Sequence, residues 1–192
     1  SYKGNVTVSS SFQQIMKFTS NDDEVEVKEI QTETNTEGQI IANVLTDENP
    51  KTFWVAEAND DKQWMTIELL NEGTVHAIQL NYHDHDSGIY TRVEGLKHQF
   101  TIETSVDGKN WKTVVDRSKS EIDAPNAYLV LDKPVKAKYV RYNNIKVPGN
   151  NFAMSEVRVF GLGLGEAPSK ISNFKINREE DRRDISFSWD KV

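Results

Sequence analysis

WMTIELL at residues 64–70 and VHAIQLNY at residues 75–82 decide the fold class. In the first stretch Met65, Ile67 and Leu69 alternate with Trp64, Thr66 and Glu68; in the second, Ile78, Leu80 and Tyr82 alternate with Gln79 and Asn81. A period of two sends every second side chain to one face of an extended ribbon, so each stretch is a strand with one face toward a core. The alternation recurs at Phe100 and Ile102, Leu129 and Leu131, Val140 and Tyr142, and Val157 and Val159. Turn formers separate these segments: Asp107-Gly108, Asp132-Lys133-Pro134 and Pro148-Gly149-Asn150-Asn151. Helical spacing is confined to Phe12, Ile15 and Met16, barely one turn, and no long helix is expected. Strands without intervening helices predict an all-β antiparallel sandwich or barrel.

Composition narrows the function classes. The chain has 192 residues and a formal charge of −7, with 8 Phe, 4 Trp and 6 Tyr giving enough bulk for a core. No stretch approaches the roughly 20 apolar residues of a membrane-spanning helix. The acidic balance opposes the phosphate neutralisation on which nucleic-acid binding depends. Cysteine is absent, which excludes a thiolate nucleophile, a cysteine zinc site and a disulfide framework. Ser1 rather than Met at the start is expected of a processed or excised piece.

Two boundaries are expected. The acidic run Asp22, Asp23, Glu24, Glu26 would separate a polar leader, residues 1–23, from a strand-rich body at 24–163, and GLGLGEAPSK reads as a linker, with 164–170 between units. Residues 171–192 hold two further alternating strands, the second placing Ile185, Phe187 and Trp189 on one face, with the charged turn REEDRR between them. Two strands cannot bury such a face alone.

NVLTDENPKTFWVAE, WMTIEL, TIETSVDGKNW, AKYVRYN and FAMSEVRVFG, in that order, resemble the discoidin, or coagulation factor 5/8 type C, domain over nearly all of the body. In style the chain is similar to bacterial family 32 carbohydrate-binding modules. The resemblance implies an eight-stranded jelly-roll sandwich of the galactose-binding-domain-like type with one structural Ca2+. It further implies an ancillary, non-catalytic role in a secreted, periplasmic or cell-surface glycoside hydrolase, family 43 types acting on xylan-like substrates included. The tail APSKISNFKINREEDRRDISFSWDKV resembles the first two strands of a fibronectin type III module, with Trp189 in the place of its core tryptophan.

The residues support a metal loop on their own chemistry. Calcium takes six to eight oxygens, and Asp47, Asn49 and Thr52 offer side-chain oxygens close together in one loop. The family adds backbone carbonyls of that loop and a glutamate near the last strand, here Glu156. Glu48 stands where the family usually has glycine, which works against the left-handed backbone that glycine permits. The alternative is an Asx-turn without metal. Trp54 and Trp64 adjoin strand patterns and are expected in the core.

A sugar site needs an apolar ring face beside charged or amide donors, because unpaired buried polar groups are costly. HDHDSGIYTRVEGLKH supplies His83, His85, Tyr90, Arg92 and His98, and VPGNNFAM supplies Asn150, Asn151 and Phe152. By family matching Arg92 would bond hydroxyls and Phe152 would stack on the sugar. The alternatives are a solvated loop charge for Arg92 and a core position for Phe152. The family's partner amide has no clear counterpart; Gln99 is the nearest.

Other chemistries fare worse. His83 and His85 share a strand face as zinc ligands would, yet no third ligand is identifiable and the strand is expected to stop near Tyr82. No carboxylate pair sits in a hydrolase-like motif, and Gly-x-Ser-x-Gly, phosphate-loop and His-Glu-x-x-His patterns are absent. The candidate loop tips DENPKT, HDHDSG and PGNN would repel an anionic leaflet. The expected partners are a polysaccharide or oligosaccharide glycan and neighbouring domains of the same chain, with a ligand-free structural spacer as the alternative.

Overall fold

The computed structural model describes residues 3–12, 34–49, 51–83, 96–162, 170–178 and 185–190 in full, and 17–20, 23–26 and 33 as backbone. The strands are β1 (Asn5–Val8), β2 (Lys17–Ser20), β3 (Asp23–Glu26), β4 (Glu33–Thr34), β5 (Ile40–Ile41), β6 (Trp54–Val55), β7 (Trp64–Tyr82), β8 (Gln99–Ser105), β9 (Lys112–Asp116), β10 (Asn126–Lys146), β11 (Ala153–Leu162), β12 (Lys175–Arg178) and β13 (Ile185–Ser188). Among the described residues the only helical segment is a 3-10 turn, Asn43–Thr46.

The expected alternation becomes one antiparallel framework. WMTIELL and VHAIQLNY are successive halves of β7, which is 19 residues long and pairs along both halves with the 21-residue β10. The pair shifts register between Val130 and Val135 and between Ala137 and Tyr139. Such irregularities bend a ribbon and increase its twist. On either side of them the neighbours change: the first half of β7 also pairs with β1, the second with β11, while β8 joins the later part of β10 and β9 joins β8. Met65 and Ile67 from one half, Ile78 and Leu80 from the other, and Phe100, Ile102, Val140, Tyr142 and Val157 from their neighbours form one buried cluster. The result is the jelly-roll β-sandwich expected from the sequence.

Several expectations change. The stretch expected as a leader contributes β1, which lies between β5 and β7, with Val6 and Val8 in the core. The body therefore includes residues before Glu24. The acidic run lies largely in β3, the second strand of a hairpin with β2, rather than at a boundary. Trp54 is buried as expected, but Trp64 is half-exposed. Its phase is opposite to Met65, and it packs instead against the Arg141 guanidinium, 5.3 Å from the indole centroid, whose other neighbour is Trp111 at 3.9 Å. Arg141 Nε donates to Thr66 Oγ1 at 3.0 Å.

Phe152 also requires correction. Its relative exposure is 0%, and its ring stacks on Tyr142 with centroids 5.0 Å apart and meets Trp54 edge-on at 5.2 Å. The residue begins the run that enters β11, so its ring fills the interior and offers no face to a sugar. Of the expected turns, Asp107-Gly108 is held by the Asp107 carboxylate, which accepts from the Lys109 and Asn110 N–H groups and from the Asn110 amide. These donors hold its carboxyl well below the usual carboxylate range. In the tail β12 and β13 form the expected hairpin, and Phe174, Ile176, Ile185, Phe187 and Trp189 are exposed. Most of the linker and all of the REEDRR turn beyond Arg178 lie outside the described residues.

Two substitutions test this packing. Phe152→Ala should lower unfolding stability by about 3–5 kcal/mol in urea titration, as truncation of a buried aromatic does. Gly161 is required by close approach: a Cβ there would lie 2.0 Å from the Thr74 carbonyl oxygen. Gly161→Ala should therefore cost about 1–3 kcal/mol in the same measurement.

Candidate functional site

The expected metal residues lie where the 3-10 turn gives way to a loop. Thr46 Oγ1 donates to Gly4 O at 2.8 Å, and Asn43 Oδ1 accepts the Val6 N–H at 2.9 Å, so the turn is fastened to the segment around β1. Asp47 then starts an Asx-turn, its Oδ1 accepting the Asn49 N–H at 2.8 Å. The Thr52 hydroxyl lies 2.9 Å from Asp47 Oδ2 and 2.8 Å from Asn49 O. Glu48 has φ 59. The left-handed backbone that its side chain opposes is adopted nonetheless, at a cost of about 1–2 kcal/mol for a residue with a Cβ.

Glu156 reaches this loop from β11. A register shift between Met154 and Glu156 breaks the alternation and leaves Glu156 only 3% exposed. Arg158 Nη2 lies 3.9 Å from its Oε2. Oε1 is buried without a hydrogen-bond partner. Burial raises the Glu156 carboxyl above its ordinary pKa; Arg158 opposes the rise, and the charges of Asp47 and Glu48 add to it.

Asp47, Thr52 and Glu156 are thus drawn toward one loop. The Asn49 side chain is turned to another task, its Oδ1 accepting the Lys51 N–H at 3.1 Å, while its main-chain oxygen faces Thr52. Among the described residues no three His, Cys, Asp or Glu side chains are close enough to hold a metal by themselves. A cation here would need the hydroxyl and carbonyl oxygens of the loop as well. That donor set, all oxygen with one buried and unpaired carboxylate atom, fits calcium.

The expected sugar-contacting residues are divided. β7 ends at Tyr82, as expected, and His83 follows, its N–H bonded to Ala153 O at 3.1 Å. The His83 imidazole stacks on Phe53 with centroids 3.8 Å apart and an interplanar angle of 11°. Both rings are half-exposed. Asn151 donates from Nδ2 to Ala56 O at 2.9 Å and so ties the PGNN loop to the segment after β6. His85, Tyr90 and Arg92 lie outside the described residues, in the segment 84–95 that leaves directly from His83.

Two residues weighed beside them are structural. His98 is buried against Tyr82 at 4.4 Å, and its Nδ1 accepts the Ala124 N–H. Gln99 donates to Ser120 O at 3.1 Å, so the nearest candidate for the partner amide is already engaged. Phe53 is the aromatic that sequence reasoning missed. Its signal was present: with Trp54 facing inward, the residue before it faces outward at the strand end.

Compared as sequence with curated proteins, the chain has no match. The sequence profile of the F5/8 type C domain matches residues 19–157. Among solved structures, chitosan-binding module 1 of a chitosanase/glucanase from Paenibacillus sp. IK-5 is similar at 20% identity and a TM-score of 0.55, covering 83% of this chain and 96% of that one. CpGH89CBM32-5 from Clostridium perfringens, in complex with GalNAc-β-1,3-galactose, is similar at 16% identity and a TM-score of 0.54, covering 81% and 94%. CpGH89CBM32-6, also produced by Clostridium perfringens, is 23% identical with a TM-score of 0.50, covering 67% and 88%. At such identities the likeness establishes the sandwich. The profile takes in most of the chain, including the loop from Asp47 to Thr52, β7 and the Glu156 segment, and the chain belongs to the F5/8 type C domain family.

Proposed function

We propose that the chain is a non-catalytic carbohydrate-binding module that binds a glycan at the strand end carrying His83, Phe53 and Asn151, with Tyr90, Arg92 and His85 contributed by the adjoining segment. The observation that carries this reading is the half-exposed Phe53–His83 stack, an aromatic surface whose imidazole also carries polar nitrogens. Family membership and the sugar-binding names of the structural neighbours support it. In a secreted glycoside hydrolase, such a module would act by holding the catalytic domain near its polymer, raising effective concentration without new chemistry. A xylan-like substrate for a family 43 type of parent enzyme remains part of this proposal.

The buried position of Phe152 and the engaged Gln99 favour a second reading, a spacer without ligand. Calorimetric titration with neutral oligosaccharides separates the two. The module reading expects millimolar to micromolar affinity, lowered at least about tenfold in His83→Ala, Phe53→Ala and Arg92→Ala, on the scale of one or two lost contacts. The variants should keep the parent melting temperature within a few degrees. A blank across the panel at high protein concentration leaves the spacer.

We also propose structural Ca2+ in the loop, held by Asp47, the Thr52 hydroxyl, Glu156 and main-chain oxygens that include Asn49 O. Bound there, the ion would neutralise the carboxylates and stiffen the loop that precedes Phe53. At a free concentration of 100 times Kd it would add about 2.7 kcal/mol. For a chain of this size that is roughly 5–10 °C in Tm. Chelation should remove the increment, and Asp47→Ala or Glu156→Gln should abolish the response. A melting temperature indifferent to chelator and to added calcium would reject the metal.

A further inference from the structure

The outer face of the β1–β7–β10–β8 layer carries an array of side chains that the strand-end site does not use. Met65 and Ile67 on β7, Val140 and Tyr142 on β10, and Ile102 on β8 point into the core, so Trp64, Arg141, Asn143 and Glu103 between them point outward. The register sets Arg141 opposite Glu103 and Trp64 opposite Asn143. Trp111 reaches the same face from the loop before β9. The Asp107 carboxylate accepts the Lys109 and Asn110 N–H groups and so fixes the turn that delivers it. All five side chains on this face are half-exposed.

Arg141 is held in one setting. Its guanidinium lies between two indoles, 3.9 Å from the Trp111 centroid and 5.3 Å from that of Trp64, and its Nε donates to Thr66 Oγ1 at 3.0 Å. The stack and the bond together fix the plane of the donor fork before any ligand arrives. Neither Nη atom has a hydrogen bond or ion pair among the described residues. Beside it, Asn143 Nδ2 donates to Glu103 Oε2 at 3.1 Å, which leaves Glu103 Oε1 and Asn143 Oδ1 without a protein donor among the described residues. Fixed donors and fixed acceptors therefore lie next to one another, flanked by aromatic rings, with one positive and one negative charge between them.

A sugar hydroxyl both donates and accepts, and the C–H surface of a pyranose suits an indole. A neutral sugar uses every group on this face. An anionic ligand would meet Glu103 and a net charge of −7, and a cationic one would meet Arg141. We propose that this sheet face is a second glycan-contacting surface for neutral sugars, with the Arg141 Nη atoms and Glu103 Oε1 bonding hydroxyls and Trp64 and Trp111 flanking the ring. The inference rests on the glycan-binding reading above and extends it from the strand end to the face of the sheet.

The test is an NMR titration of the 15N-labelled 192-residue chain with xylohexaose, cellohexaose and β-1,4-galactohexaose, and with hexagalacturonate as the anionic comparison. The readout is the indole N–H signals of Trp64 and Trp111, assigned through Trp64→Phe and Trp111→Phe. At least one neutral hexasaccharide should move both signals saturably, and hexagalacturonate should not. The shifts should persist in the Phe53→Ala/His83→Ala double variant, which strips the strand-end stack. Arg141→Lys and Glu103→Gln should each raise the Kd read at these indoles about three- to tenfold, the scale of one weakened charged hydrogen bond. The parent titration reads the surface without any substitution on it, so an unstable variant does not decide the outcome.

Indole signals that stay fixed while Phe53 and His83 respond would overturn the sheet-face surface and leave the strand-end site standing. Shifts at Trp64 and Trp111 that vanish in the double variant would trace them to the strand end and reject a second surface. A stronger response to hexagalacturonate would reject the neutral class. Arg141→Lys with a lowered melting temperature and an unchanged Kd would make the stack a clasp for the fold and nothing more. No response to any neutral probe at either place would overturn both this surface and the reading on which it rests.

Discussion

The antiparallel pairing of β7 with β10 is the constraint on which the rest of the molecule depends. Each is about twice the length needed to cross one layer of a sandwich, and each changes neighbours partway along, so one pair of ribbons contributes to the whole body. Met65 and Ile67 can bury against residues such as Leu80 because the irregularities at Val130/Val135 and Ala137/Tyr139 let the pair turn without losing its inward phase. A single slip in register would send the apolar set to solvent. The flanking strands add area to this frame, and the loops are fixed by where its strands stop.

Local breaks in that regularity build the candidate site. The shift before Glu156 carries a carboxylate out of strict alternation and into contact with a loop distant in sequence. In that loop Glu48 holds a left-handed backbone. At the neighbouring strand end β7 stops at Tyr82, and the next side chain, His83, settles on Phe53. Regular ladders bury side chains in a fixed rhythm, so unpaired or strained groups gather where the rhythm fails, and the unpaired Glu156 Oε1 is an instance.

The all-β class, the phase of each long strand and the end of β7 near Tyr82 were legible because a period-two pattern over several residues is a strong signal. Asn5–Val8 was not, since only Val6 and Val8 mark its inward face and its polar surroundings resemble a leader. Phe152 was misplaced for a related reason: an aromatic at a loop–strand junction has the same sequence signature whether it faces the core or a ligand. Trp64 was readable from its phase against Met65, but size suggested burial where alternation already opposed it. The oxygen-bearing residues of the Asp47 loop could be picked out by type, whereas the diversion of the Asn49 side chain to Lys51 depends on a turn geometry that composition does not encode. Arg92, Tyr90 and His85 fall in the segment outside the described residues, so their part in the site rests on sequence and family.

Thr52 and Phe53 are consecutive, one in the carboxylate loop and the other under the His83 imidazole. A torsion taken up at the first displaces the second, with no intervening chain of contacts to dilute it. An occupant of either location that prefers one setting of this peptide unit must change the affinity of the other, and linkage makes that change equal in both directions. Heterotropic coupling between an ion and a sugar would here be carried by one covalent bond.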